Sequence, residues 1–587
     1  MARNRFDVDE ELESPFNIQH LKRSFVYIKK HSKRMITSLI FSIISVICGL
    51  FVPKIIQYAV DDVVPVKNIQ LLLILTVVMA VLIAASVLFT TLRSRIMAKV
   101  GQDIIYEIRK DLFGHLQKLP FQYYDDRPHG KILVRVVHYV NNVSDMISNG
   151  IINFFLETFN LIFIAVFMFT TDVRLSLVVL AGVPFLLVVI LILKPKQRRA
   201  WQMVSNKSSN MNAYFQENID GVKVAQAFVR EEENGKIFHK LNVENKKAYM
   251  KAQYLSNLVW WSVDNMSTIV VSIMYLVGIL VLDPVPSFGV LVAMGSYAWR
   301  FWQPILNISN LYNNLINTLS YLERIFETMD EPVTIDSAPD APKLPPITGA
   351  VTFEDVTFSY DGTTNILEHM NLEVKPGESI ALVGPTGAGK TTVVNLISRF
   401  YDVTGGRVLL DGHDVSKVDL HSLRSQLGIM IQDSFLFSGT IRDNVLYGKL
   451  TDPEDIPKVC ETVRASEFIK EMEDGYDTEV GEGGSRLSQG QRQLIAFART
   501  LLADPKILIL DEATSSIDAK TERLLQEGLQ QLLKGRTSFI IAHRLSTIQS
   551  CDRILYISNK GIAECGSHEE LMAKKGLYYQ LYTAQSL

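Results

Sequence analysis

The chain has 587 residues, 48% of them hydrophobic, and a formal net charge of -3 at pH 7. This length exceeds what one hydrophobic core supports, and the apolar residues occur in concentrated runs, so several domains with a membrane part are expected. The charge provides no basic surface that would bind nucleic acid through counterion release. The four cysteines lack the paired spacing of a zinc site or a disulfide framework. Nucleic-acid-binding and disulfide-rich proteins are therefore excluded.

Six apolar stretches approach the roughly 20 residues that a helix needs to cross a bilayer. They are residues 35–58, 69–92, 151–170, 175–193, 260–282 and 288–308. The last is interrupted by Gly295, Arg300 and Pro304. Lysine and arginine collect before the first stretch and after the second and fourth, which predicts that both termini are cytoplasmic.

Two long segments, 93–150 and 194–259, separate these stretches and are predicted to continue as helices outside the membrane. Each has a break, at 125–130 and at 219–221, where a short helix could lie across the end of the domain. The predicted domains are a leader and elbow helix (1–34), a transmembrane domain (35–330), a linker rich in proline and small residues (331–349) and a second domain (350–587).

The second domain has the short β-rich runs and helical stretches of an α/β fold, and it contains a phosphate-binding motif. A buried strand, 379–383, precedes a glycine-rich loop, and a helical stretch follows. The loop and the first residues of the helix are Gly384, Pro385, Thr386, Gly387, Ala388, Gly389, Lys390, Thr391 and Thr392. We expect Lys390 to reach the β- and γ-phosphates of ATP and the Thr391 hydroxyl to bind Mg²⁺.

A second predicted buried strand begins at Lys506, is apolar over 507–510 and ends in two acids, Asp511 and Glu512. Paired with the glycine-rich loop, they suggest that Asp511 holds Mg²⁺ and that Glu512 polarises the attacking water. Two solvated acids ending a strand are the alternative interpretation.

The most specific motif is Leu487, Ser488, Gln489, Gly490 and Gln491, followed by Arg492, Gln493 and Leu494. It resembles the signature sequence of ATP-binding cassette (ABC) exporters, specifically half-transporters of the type IV, multidrug- and lipid-exporter-like group. The resemblance implies an α-helical six-span transmembrane domain fused to an α/β P-loop NTPase domain. It also implies that two chains close on two ATP molecules, each signature segment binding the ATP of the opposite subunit.

Four further residues match family motifs, and their roles are implied by the resemblance alone. Tyr360 resembles the aromatic residue that stacks on adenine, although simple packing is the alternative. Gln432 resembles the glutamine that links Mg²⁺ to the membrane domain, Asp518 the dimer-contacting loop, and His543 the switch histidine that contacts the γ-phosphate. Residues 478–482 resemble the loop that meets the transmembrane helices.

Gln489 departs from the family pattern, which has glycine at this position of the signature. Glutamine adds bulk beside a phosphate, and a weakened site in trans is expected. Together with Glu512 and His543, this resembles the catalytic-glutamate-bearing subunit of bacterial heterodimeric exporters. A heterodimer is favoured, and a homodimer stays open because one substitution can be neutral.

The sequence specifies the cargo poorly. Glu157 and Asp264 lie inside predicted spans and could bind a cationic cargo; the alternatives are that they pair with Arg300 or lie near the membrane interface. Trp299 belongs to a possible aromatic pocket, with an interfacial belt or helix packing as the alternative. Amphiphilic drugs or lipids are the leading expectation, with peptide export and an ATP-gated channel or regulator as alternatives. No cleaved signal or transit peptide is recognised, which favours a bacterial cytoplasmic membrane.

Overall fold

The computed structural model describes residues 18–125, 127, 129–146, 150–430, 434–448, 455–511, 519–542 and 545–586. The chain divides into two compact units. The first is Met1–Gln117 with His129–Glu331, and the second is Lys118–Pro128 with Pro332–Leu587. A short piece of the first long segment between the apolar stretches, Lys118–Pro128, therefore belongs to the same compact unit as the C-terminal domain.

The first unit is helical throughout its described secondary structure. In chain order the first twelve helices are α1 (Ile18–Lys30), α2 (Ser32–Tyr58), α3 (Ile69–Leu116), α4 (Phe121–Asp125), α5 (His129–Val134), α6 (Val140–Asp145), α7 (Ile151–Thr171), α8 (Val173–Leu180), α9 (Val183–Asp220), α10 (Val222–Ala227), α11 (Glu231–Leu280) and α12 (Phe288–Met329). All except α4 lie in the first unit.

Five helices in the described part of the chain are long and apolar enough to cross a membrane. They are Ser32–Val63, Ile69–Leu116, Ile152–Thr171, Val173–Asp220 and Glu231–Leu280. The sixth predicted span lies on α12, which is a continuous helix of 42 residues but contains Pro304 and a run of polar residues. The helical domain is thus present, whereas the count of six spans stays a prediction.

The fourth span was predicted as one helix over 175–193, but the structure has two helices there. A turn at Ala181 and Gly182 separates α8 from α9. Pro184, in the first turn of α9, has no N–H to donate, and a proline ring clashes with the carbonyl four residues earlier. Gly182 leaves no room for a side chain, because a Cβ atom there would lie 2.6 Å from Val270 Cγ2.

The predicted long helices and their breaks are confirmed. Helices α3, α9 and α11 contain 48, 38 and 50 residues and extend well beyond a bilayer's thickness. The first long segment is interrupted earlier than predicted, at 117–120 between α3 and the short α4, and the predicted break at 125–130 follows where α4 ends at Asp125 and α5 begins at His129, with residues 126 and 128 outside the described residues. The second breaks at Gly221, and the six-residue α10 lies between α9 and α11.

The core of the first unit forms around α12. Tyr297 on this helix is fully buried, and its hydroxyl donates a hydrogen bond to the carbonyl oxygen of Leu50 at 2.7 Å. Outside the core, Lys30 binds Glu107 at 2.8 Å and Arg34 binds Asp103 at 2.7 Å. The two acids are one turn apart on α3, so they hold the N-terminal helices in register.

The second unit contains two β-sheets. Its strands are β1 (Val351–Ser359), β2 (Asn365–Val374), β3 (Ser379–Val383), β4 (Gly405–Leu410), β5 (His413–Asp414), β6 (Leu427–Met430), β7 (Ile507–Asp511), β8 (Thr537–Ile541), β9 (Arg553–Ser558) and β10 (Gly561–Gly566). The antiparallel sheet has the order β2-β1-β4-β5. In the other sheet, β10-β9-β3-β8-β7-β6, every pair is parallel except β10 with β9.

Helices connect and cover the parallel strands, as the α/β pattern predicts. They are α13 (Lys390–Ile397), α14 (Leu420–Arg424), α15 (Ile441–Leu446), α16 (Asp455–Thr462), α17 (Ala465–Ile469), α18 (Gln489–Ala503), α19 (Ala519–Leu533), α20 (Leu545–Gln549), α21 (His568–Lys574) and α22 (Leu577–Ser586). The strands β3, β7 and β8 are almost completely buried. Their carboxyl ends therefore form an edge at which loop residues can converge.

The proline-rich linker has no regular secondary structure and most of its residues are exposed, as its composition favours, but its C-terminal end is bound to the second unit. Leu344 and Ile347 are buried in the core of the second unit. The Asp411 carboxylate accepts hydrogen bonds from the backbone N–H groups of Thr348, Gly349 and Ala350. Burial by itself raises the pKa of Asp411, but these hydrogen bonds outweigh it and hold the pKa below its ordinary value.

We predict that Asp411→Asn lowers the free energy of unfolding of the second unit by about 1–3 kcal/mol at neutral pH, because a charge-assisted acceptor is lost. In the unsubstituted chain, the Asp411 carboxylate contributes this stability at pH values above the ordinary aspartate pKa. The contribution is lost as the pH falls through the lowered pKa that Asp411 has in the folded state. Thermal unfolding of the full chain between pH 3 and pH 7 measures both effects. Asp340→Asn, at an exposed linker position, is the control, and equal effects of the two variants would contradict the prediction.

Candidate functional site

Three glycines shape the loop between β3 and α13. Their φ angles are +140° at Gly384, +80° at Gly387 and +103° at Gly389. A Cβ atom on Gly384 would lie 2.2 Å from the carbonyl oxygen of Ile557 on β9. Left-handed torsions of this kind let successive N–H groups face one bound anion, and the start of α13 adds its unpaired N–H groups. The loop thus has the geometry that its motif predicts.

Lys390 is the first residue of α13 and bends back over the loop. Its ammonium group donates to the carbonyl oxygens of Gly384 at 2.8 Å and Pro385 at 2.9 Å. Burial lowers the pKa of Lys390, and the charge of Asp511 opposes this effect. Since Asp511 ends β7, the structure brings the lysine and the carboxylate to the same edge of the sheet.

Tyr360 follows β1 and presents an oriented aromatic ring. Its hydroxyl lies 3.1 Å from the Thr392 hydroxyl of α13. Its ring packs edge-to-face against those of Phe358 and Tyr401, with centroids 4.8 Å and 5.0 Å away. The side chain is 38% exposed, so part of the ring is accessible to a ligand. The structure thereby places the predicted adenine-stacking residue beside the phosphate-binding helix.

The signature segment forms the N-terminus of α18. The Ser488 hydroxyl accepts a hydrogen bond from the N–H of Gln491, whose side chain accepts one from the N–H of Ser488. This capping box fixes the start of the helix. Gln489 is the first helical residue and does not have a positive φ, so its backbone does not require glycine. The substitution therefore changes bulk beside the helix terminus and leaves its torsions normal.

Four predicted site residues lie outside the described residues. They are Gln432, Glu512, Asp518 and His543. Their predicted roles stay predictions, and the described part of the site consists of the glycine-rich loop, Lys390, Thr391, Asp511, Tyr360 and the signature segment.

The acidic residues of the transmembrane helices have different surroundings. Glu157 on α7 accepts a hydrogen bond from Asn307 on α12 at 2.7 Å. Asp264 on α11 is half-buried and has no side-chain hydrogen bond or ion pair among the described residues. Arg300 donates instead to the carbonyl oxygen of Gly49 at 3.0 Å, so the alternative in which these acids pair with Arg300 is wrong. Trp299 is 54% exposed.

Sequence reasoning missed the polar face of α12. Arg300, Gln303, Asn307, Asn314 and Thr318 follow one another at intervals of three, four or seven residues, which places them on one side of the helix. Asn314 and Thr318 line a cavity of about 330 Å³ with Asn142, Asp145 and Asn153. The spacing of these residues is the signal in the sequence that indicates this face.

We predict that Gly384→Ala destabilises the second unit by more than about 2 kcal/mol, because a strained torsion adds to the overlap with Ile557. Gly387→Ala is the matched control. No atom lies within 4 Å of its added Cβ, so only the torsional cost of about 1 kcal/mol applies. Thermal unfolding of the full chain in lipid compares the two. Equal destabilisation would show that the contact with β9 does not constrain the loop.

Comparison with known proteins agrees with this geometry. Residues 35–304 match the family model for the ABC transporter transmembrane region, and residues 367–515 match that for the ABC transporter. The structure also resembles a solved bacterial Atm1-family ABC exporter with ATP bound. The TM-score is 0.79 at 27% identity, over 95% of this chain and 99% of that one.

Curated relatives match along nearly the whole chain. The uncharacterized ABC transporter ATP-binding protein YknV of Bacillus subtilis is 38% identical over 100% of this chain and 98% of its own length. The putative multidrug export protein YgaD of the same species is 33% identical over 97% and 99%. A fatty acid ABC transporter protein of Mycobacterium tuberculosis is 34% identical over 87% and 81%. This chain therefore belongs to the ABC exporters, as a transmembrane region fused to the ATPase domain that drives transport.

Proposed function

We propose that the chain is one half of a dimeric exporter that moves amphiphilic small molecules out of the cell across the cytoplasmic membrane. The observation that carries this proposal is the glycine-rich loop, with Lys390 and Asp511 at one sheet edge, in a chain that also has a helical membrane region. Both termini and the ATPase domain face the cytoplasm, as the distribution of lysine and arginine indicates.

The residues of the loop edge suit ATP with Mg²⁺. Backbone N–H groups and the Lys390 ammonium would bind the phosphates, while the Thr391 hydroxyl and the Asp511 carboxylate are the oxygen ligands that Mg²⁺ prefers. The ion would neutralise phosphate charge when bound. Glu512, the next residue, would orient the attacking water, while Gln432 and His543 would contact Mg²⁺ and the γ-phosphate. Asp518 would contact the other subunit.

Closure of two ATPase domains on two ATP molecules would change the transmembrane domains from an inward-facing to an outward-facing conformation. ATP hydrolysis would restore the inward-facing conformation. Leu487, Ser488, Gly490 and Gln491 would bind the nucleotide of the opposite subunit. Gln489 adds a longer side chain at the first turn of α18, where an approaching phosphate would meet the helix N-terminus. We therefore favour a heterodimer whose partner supplies the standard signature to this chain's Lys390 and Glu512.

An amphiphilic cargo is supported by the chemistry of the membrane helices. The polar face of α12, which begins at Arg300 beside the exposed Trp299, offers hydrogen-bonding groups next to apolar side chains of the same unit. Two relatives bear names that refer to multidrug export and to fatty acids, which are amphiphilic classes. Glu157 and Asp264 are the candidate contacts for a cationic cargo, and of the two, Asp264 has no side-chain partner among the described residues.

We predict that Glu512→Gln lowers Mg-ATPase turnover at least about 100-fold while ATP still binds, because the group that orients the water is lost. The chain is purified alone in lipid, and an amphiphilic dye is offered to inverted vesicles. ATP-dependent accumulation that this substitution abolishes supports a pump. Passive ion current on ATP binding would support the gated channel instead, and turnover unchanged by Glu512→Gln would remove that residue from the mechanism.

We predict that Gln489→Gly raises the turnover of the chain purified alone about threefold to tenfold, a gain of roughly 1 kcal/mol, because bulk beside the trans phosphate is removed. Gln530→Gly is the control, since it makes the same exchange at an exposed position of α19. Robust turnover before the substitution, without a gain after it, would indicate a homodimer with a working signature.

A further inference from the structure

Helix α4 is held in the second unit by contacts from one of its faces. The ring of Phe121 stacks on that of Phe400, with centroids 5.4 Å apart. The Asp125 carboxylate, one turn later, accepts a hydrogen bond from the Tyr401 hydroxyl at 2.6 Å. Both partners belong to the segment that follows the phosphate-binding helix α13. This helix is thus fastened to a specific place in the ATPase domain.

The same place is next to the candidate adenine site. The Gln122 side-chain amide donates a hydrogen bond to the main-chain oxygen of Tyr360 at 3.3 Å. Tyr401 lies between α4 and the ring of Tyr360. The rings of Tyr401 and Tyr360 are perpendicular, and their centroids are 5.0 Å apart. A single side chain therefore contacts the carboxylate of α4 through its hydroxyl and the candidate base-stacking ring through its own ring.

Tyr401 has little freedom to move independently of α13. Its side chain is buried, with 7% of its surface exposed. The preceding N–H, of Phe400, donates to the carbonyl oxygen of Asn395 within α13 at 2.9 Å. Two residues before Tyr401, Arg399 has a positive φ of 48° and binds Asp402 at 2.9 Å. If the Tyr360 ring moved, the Tyr401 side chain beside it would consequently have few other positions to adopt.

We propose that Tyr401 is a positioning residue that links occupation of the adenine side of the ATP site to helix α4. The inference rests on the proposed function, because it takes Tyr360 as the base-stacking residue. A base stacked on Tyr360 restricts the orientation of that ring. Because Tyr401 packs edge-to-face against Tyr360, its own ring is restricted as well. The short hydrogen bond from the Tyr401 hydroxyl to the Asp125 carboxylate then restricts the position of α4. Restraint of α4 must then strengthen nucleotide binding in return, since such coupling is reciprocal.

The test is amide hydrogen exchange of residues 118–125 in the full chain in lipid. We expect saturating MgATP to slow exchange there about fivefold, at the lower end of ordinary coupling between sites, and Tyr401→Phe to remove most of this response. Tripolyphosphate with Mg²⁺ fills the phosphate site but lacks the base, and it is expected to have little effect. Tyr582→Phe is the control, because it removes a hydroxyl that accepts a hydrogen bond from Gln549 elsewhere in the domain.

Asp125→Ala, alone and combined with Tyr401→Phe, completes a double-mutant cycle for the same exchange response and for ATP affinity. If the two residues act through one contact, the double variant loses no more than either single variant. Additive losses, a full response in Tyr401→Phe, or an equal response to tripolyphosphate would overturn the proposal. Absence of ATP binding by the unsubstituted chain would refute the proposed function itself, which separates the two failures.

Discussion

The close approach of the glycine-rich loop to strand β9 is the constraint on which the ATPase domain depends. Gly384 has no room for a side chain against the Ile557 carbonyl, and its torsion is one that other residues avoid. This contact directs the chain from β3 into α13 with Lys390 at the first position. The direction of α13 determines where Thr391 lies and allows Thr392 to contact Tyr360. It also determines where the chain continues after α13, through residues 398–401 to Tyr401.

The membrane region obeys a different constraint, because hydrocarbon offers no partner to a polar group. Glu157 receives a hydrogen bond from Asn307, and Arg300 donates to the Gly49 carbonyl. Both of these groups thus find a partner on another helix, and the two contacts bind α12 to α7 and to α2. The polar side of α12 consequently contributes to stability and offers groups that a cargo could contact.

Two stretches outside the ATPase sequence proper are bound to that domain. The C-terminal end of the linker contacts Asp411, whose carboxylate accepts hydrogen bonds from three successive backbone N–H groups. Helix α4 is bound through Phe121 and Asp125. Both stretches continue directly into long helices of the first unit, α12 before the linker and α3 before α4. Events at the ATP site therefore have two covalent routes toward the transmembrane region.

The sequence by itself determined the features that depend on neighbouring residues. The spacing of Gly384, Gly389 and Lys390 encodes torsions and helix start within a few residues, and the length of an apolar run decides whether a helix can cross a bilayer. The breaks near residue 125 and at Gly221 were predictable because glycine and proline act locally. Only the tertiary structure decided the contacts of Tyr401 with Asp125 and of Asn307 with Glu157, residues separated by 276 and 150 positions. Such pairs form when whole helices pack, and no local pattern in a single sequence records which distant partner a polar side chain will meet.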